Sequence, residues 1–97
     1  MHARLNIRQV LPGKIDEFLK TFEETVAPDV RGRQGYKGGL LLADSSTGKA
    51  ILLTLWETEA DMKAVEAKGL LPVDYAKTAH LVAGPVVVER YEVSMQD

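Results

Sequence analysis

Three segments of this chain carry apolar residues back to back at strand length: Leu40-Leu41-Leu42, Ile51-Leu52-Leu53 and Val86-Val87-Val88. Strand side chains alternate between faces, so an uninterrupted apolar run is apolar on both. A sheet built from such strands must be covered on both sides. The rest of the chain offers helix for one side only, so the other cover is expected to be a second copy of the protein. At 97 residues the chain reads as one domain, residues 1–97, near the low end for a self-sufficient core.

The elements follow from periodicity. Residues Ala3 to Leu11 alternate, with Ala3, Leu5 and Ile7 on one face and Arg4, Asn6 and Arg8 on the other, which predicts a strand. Pro12-Gly13 ends it. Ile15, Phe18, Leu19, Phe22 and Val26 then recur at helical spacing with acids between them, an amphipathic helix that Pro28 should end or kink. A Gly-rich lead enters a second strand, Tyr36 to Ala43, and DSSTGK turns it into a third, Ala50 to Glu57. Thr58 and Asp61 form a capping pair before a second helix that Gly69 and Pro72 break. A short helical continuation, Val73 to Val82, precedes Gly84-Pro85 and a last strand, Val86 to Ser94. The order β-α-β-β-α-β is the ferredoxin-like α+β arrangement with a four-stranded antiparallel sheet. Right-handed crossovers put both helices on one face. The bare apolar face marks an interface, and hence a homodimer.

Composition excludes several classes. There is no cysteine, so no disulfide, thiolate metal site or cysteine nucleophile exists in this chain, which fits a cytoplasmic protein. The N-terminal MHARLNIRQV has no apolar h-region, so no signal peptide is expected, and no apolar run is long enough for a membrane-spanning helix. Fourteen acids against 12 bases give no field that would favour nucleic acid. The one basic cluster, Arg31, Arg33 and Lys37, reads as a solvated loop. STGK ends like a phosphate loop but lacks the first glycine of that motif. His2 and His80 have no partners at metal-ligand spacing, so no protein-bound metal is expected.

A few residues carry chemical interest. Asn6 is an amide in mid-strand, where it needs partners. It shares its alternating face with Arg4 and Arg8. Either the arginines line a polar pocket mouth, or a bulge changes the phase, or Asn6 points away from a pocket. Trp56, Tyr36, Tyr75 and Tyr91 are core or pocket-wall aromatics. His80, apart from His2 at the N-terminus, is the only side chain that titrates near neutral pH unaided.

The PG after the first strand, the helix GKIDEFLKTFEE, the hairpin ending LLTLWETEADM and the late DYAKTAH together resemble the antibiotic biosynthesis monooxygenase domain superfamily, over nearly the whole chain. The resemblance implies a homodimeric α+β barrel with a pocket between sheet and helices in each subunit. One branch of that superfamily oxidises phenols or quinols with O₂ and no cofactor. Another binds and degrades haem with an Asn on the first strand, a Trp on the second helix and a His near that helix's end. On this sequence the Asn position falls on Asn6 and the His position on His80, within Asp74, Lys77, Ala79 and His80. The Trp position falls on Leu70, a departure from the haem-degrading pattern.

The resemblance thus implies a cofactor-independent monooxygenase acting on a small apolar or aromatic ligand. His80 would be the base and Asn6, with Arg4 or Arg8, would hold the oxyanion. Trp56, Tyr75 and Leu70 would shape the pocket. One alternative is a haem protein with His80 as axial ligand. A further alternative is a non-enzymatic dimeric binder, since amino-acid-binding ACT domains share the same element order.

Overall fold

The computed structural model describes residues 1–97 and has the expected topology. In chain order the elements are β1 (His2–Val10), α1 (Ile15–Thr25), α2 (Ala27–Arg31), β2 (Tyr36–Asp44), β3 (Lys49–Trp56), α3 (Glu59–Ala67), α4 (Leu70–Ala76), a 3-10 turn (Ala79–Leu81) and β4 (Val82–Glu92). The sheet is antiparallel in the order β2-β3-β1-β4, with all helices on one side.

Several boundaries differ from the sequence reading, each for a local reason. Pro28 does not kink one helix but begins a second, at a position where its missing N–H costs nothing. Gly69 takes the left-handed conformation, φ 70°, and caps α4, so the second helical piece starts at Leu70 rather than Val73. Pro72 falls within the first turn of α4, again where no N–H is needed. His80 consequently lies in the separate 3-10 turn and not on a helix. β4 begins at Val82, not Val86, because Val82 and Ala83 pair with Val10 and Gln9. The register slips between Ile7 and Gln9, and Gly84-Pro85 occupies that bulge. Thr58 caps α3 as read, its hydroxyl accepting the Asp61 N–H at 3.0 Å.

Alternation along the strands gives the sheet two unlike faces. Leu5, Ile7, Ile51, Leu53, Leu55, Leu40, Leu42, Val87 and Tyr91 share one face by register. No element of the chain covers that face, and Leu40, Leu42, Val87 and Tyr91 stay 58, 49, 51 and 53 % exposed. The helix-side core is split. Val10, Phe18, Ala50 and Leu81 form one cluster beneath α1. Trp56, Met62 and Val65 form another beneath α3, with Tyr36, Leu70 and Leu71 against it. Between the two clusters lies a hollow.

Candidate functional site

The hollow is floored by the helix-facing residues of the two central strands. Alternation on β1 brings Arg4, Asn6 and Arg8 to that face. Register places Thr54, Leu52 and Ala50 of β3 beside them in turn. Asn6 is therefore a pocket residue between two arginines, and the bulge lies beyond it at Arg8. Phe18, Phe22, Val26 and Val30 of α1 and α2 wall one side, and Leu71, Asp74 and Tyr75 of α4 close the other. The slot so formed encloses about 560 Å³ with its open mouth.

Each polar side chain in the slot has a distinct state. Arg4 is 2 % exposed. Its Nη1 donates to the Met62 carbonyl at 3.0 Å and approaches Glu66 at 3.8 Å, and its guanidinium stands 5.3 Å over the Trp56 ring. Its Nε has no partner. Burial lowers its pKa, with Glu66 opposing; an arginine so perturbed stays charged at neutral pH. Trp56, wholly buried, donates from Nε1 to Thr54 Oγ1 at 2.9 Å, and that hydroxyl leans on the Arg4 carbonyl at 3.4 Å. Arg33 and Asp74 form a bidentate pair at 2.8 and 2.9 Å, both largely buried. That pair ties α4 to the loop after α2.

Tyr75 donates its hydroxyl to Asn6 Oδ1 at 2.5 Å. Burial raises the Tyr75 pKa, and the charges of Arg4 and Arg8 oppose it, so the phenol keeps its proton at neutral pH. With its carbonyl so engaged, Asn6 has an NH₂ that makes no hydrogen bond within the chain and is free to donate. Arg8 lies 5.1 Å over the Tyr75 ring and makes no ion pair.

The structure brings together Asn6, Arg8 and Tyr75 of the candidates read from sequence. Trp56 lies in the cluster under α3, outside the slot, and Leu70 packs beside it while its neighbour Leu71 takes the place on the wall. His80 is exposed and does not line the slot. The basic cluster needs correcting. Arg33 is not solvated but buried against Asp74, while Arg31 and Lys37 pair at the surface with Glu23 and Glu57. Phe18, Phe22 and Thr78 were legible only as helix-face residues, with nothing to mark them as pocket walls.

No family model matches the chain, and no curated protein matches it. Solved structures do. The haem degrader MhuD of Mycobacterium tuberculosis, solved with two haems in its active site, aligns at TM-score 0.80 with 21 % identity, over 100 % of this chain and 99 % of that one. The chain has the fold of the antibiotic biosynthesis monooxygenases. A protein of Bordetella bronchiseptica provisionally assigned to that group aligns at TM-score 0.79 and 17 % identity, over 97 % of both chains. SnoaB of Streptomyces nogalater, a cofactor-independent oxygenase solved as a mutant, aligns at 0.76 and 18 % identity, over 98 % of this chain and 94 % of that one.

The same fold therefore houses haem chemistry and cofactor-free chemistry, and the lining must discriminate. This slot presents no His, Cys or Met, and its one phenol is engaged with Asn6. The lining offers no axial ligand for a haem iron.

Proposed function

We propose that the slot binds a small hydroxylated aromatic and that the protein oxidises it directly with O₂, without a cofactor. The observation that carries this reading is the Tyr75–Asn6 hydrogen bond in a slot walled by Phe18, Phe22, Leu52 and Leu71. With its carbonyl engaged by Tyr75, the Asn6 amide keeps its N–H donors for a phenolic oxygen. In this reading the substrate hydroxyl gives its proton to water at the mouth, since the lining has no unpaired carboxylate or imidazole. The Asn6 amide holds the phenolate oxygen, a preorganised donor in a site screened from water. Negative charge delocalises onto the ring. One electron passes from the ring to O₂, the radical pair combines to a C–O bond, and the hydroperoxide loses water to leave a quinone. The substrate supplies all electrons, so one phenol and one O₂ become one quinone and one water. The walls Phe18, Phe22, Leu52 and Leu71 keep bulk water from the charged intermediate.

The reading extends to assembly. Two copies would join through the open sheet faces, burying the leucines that one chain leaves exposed.

The test is O₂ uptake on a panel of naphthols, anthrones and quinols, compared with Asn6→Ala. Loss of one oxyanion donor should lower the enzymatic rate by roughly 10²–10³. No uptake above the spontaneous rate, or an Asn6→Ala rate equal to the parent's, would overturn the proposal.

A further inference from the structure

The charges lining the slot do not balance. It holds three guanidiniums, Arg4, Arg8 and Arg33, and one carboxylate, Asp74. Asp74 is spent, both oxygens accepting from Arg33. Arg4 is engaged by Met62, Glu66 and the Trp56 ring. Arg8 is different: it is partly buried, pairs with no acid, and has only the Tyr75 ring under its guanidinium at 5.1 Å. A ring face attracts a cation weakly and leaves its charge and its N–H donors unspent. A cation kept unpaired over the mouth of an apolar slot has lost solvation without gaining a counter-ion. The missing partner is an anion.

We propose that Arg8 anchors a carboxylate on the ligand, so that the slot takes an aromatic acid in preference to the neutral aromatic of the same ring system. This deepens the aromatic-binding reading above and rests on it. Three features set the chemistry. The guanidinium presents paired N–H donors in the plane that a carboxylate matches with both oxygens. Arg8 and Asn6 are two positions apart on one face of β1, about 7 Å along the strand. That spacing suits two polar groups on one fused-ring ligand, a hydroxyl at Asn6 and a carboxylate at Arg8. The helix-side walls Phe18, Phe22 and Leu71 accept apolar surface.

Titration calorimetry on the full chain under nitrogen tests this, with 5-hydroxy-1-naphthoate, whose hydroxyl and carboxylate sit on opposite rings, against 1-naphthol. The two probes differ only by the carboxylate. The parent should bind the acid roughly 10- to 100-fold more tightly, the range of a hydrogen-bonded charge pair. Arg8→Gln should lose that preference, the ratio of the two affinities falling to about one, and Arg8→Lys should keep part of it. Circular dichroism melts establish that each variant is folded. Equal affinity for the two probes in the parent, including no binding of either, overturns the inference, as does a full preference in Arg8→Gln. Because the titration excludes O₂, the two readings fail separately. Acid preference without O₂ uptake upholds the anchor and sinks the oxygenase. O₂ uptake above the spontaneous rate together with equal affinities for the two probes sinks the anchor alone.

Discussion

At the scale of the residue, the unusual burden is Arg4, a guanidinium taken almost wholly out of water. Its tolerance depends on Trp56, whose ring faces the guanidinium and whose N–H fixes the Thr54 hydroxyl. Trp56→Ala should therefore cost about 3–5 kcal/mol in unfolding free energy, the ordinary loss for a large buried aromatic, measured by urea denaturation. Trp56→Phe, which keeps a ring beside Arg4, should cost less than half of that. Tyr75 makes a pH prediction. Burial holds its pKa above the ordinary value of 10.0. The folded state thus binds the phenolic proton more tightly than the unfolded state does. The stability this contributes is whole below the unfolded pKa and is lost as pH rises through the folded one. Melting temperatures between about pH 8 and pH 11 should fall more steeply for the parent than for Tyr75→Phe, and parallel curves would refute the burial argument. His80 is the residue on which sequence and geometry part. Because it is exposed and outside the slot, His80→Ala should leave the rate of O₂ uptake within about twofold; a fall of roughly 10²–10⁴ would restore it as the general base.

At the scale of the element, α4 is the wall tied down by one ion pair. It is short, it begins at a left-handed glycine, and it carries Leu71, Asp74 and Tyr75 into the slot. The Arg33–Asp74 fork is what holds it. Asp74→Ala leaves Arg33 buried without its acid and should destabilise by about 3–5 kcal/mol in denaturant unfolding. The strands, by contrast, are tight. A Cβ at Gly39 would stand 2.6 Å from the Leu53 carbonyl oxygen, so Gly39→Ala would push β2 off β3. The β-α-β-β-α-β order was legible because periodicity marks strands and helices by themselves, as Ala3 to Leu11 and Ile15 to Val26 do. Asn6 was legible as a polar group in a strand, but its direction was not. Which face of β1 the helices cover depends on what Leu5 and Ile7 meet, and that is settled by the partner layer. The Arg33–Asp74 pair was illegible because its members stand 41 residues apart. No local pattern distinguishes an arginine that folds back onto a distant acid from one that faces water.

At the scale of the whole molecule, one sheet face has no cover. Only 16 of 97 residues are buried in the single chain, a thin core for a sheet whose strands are apolar on both sides. Leu40 and Leu42 lie on β2, an edge strand, and are half exposed on the uncovered face, so charges there need not disturb the helix-side core. In a symmetric dimer each substitution enters the interface twice. The double variant Leu40→Glu with Leu42→Glu should thus weaken self-association by at least about 3 kcal/mol, the cost of an uncompensated buried charge, or roughly 100-fold in dissociation constant. Sedimentation velocity at micromolar concentration reads this directly: a dimer for the parent, a folded monomer for the variant. A parent that sediments as a folded monomer would mean that this sheet tolerates an apolar face in water, and the second copy would lose its reason. A variant that remains dimeric would move the contact to another surface. A monomeric variant that still binds 1-naphthol with the parent's affinity would show that the slot needs nothing from the second copy.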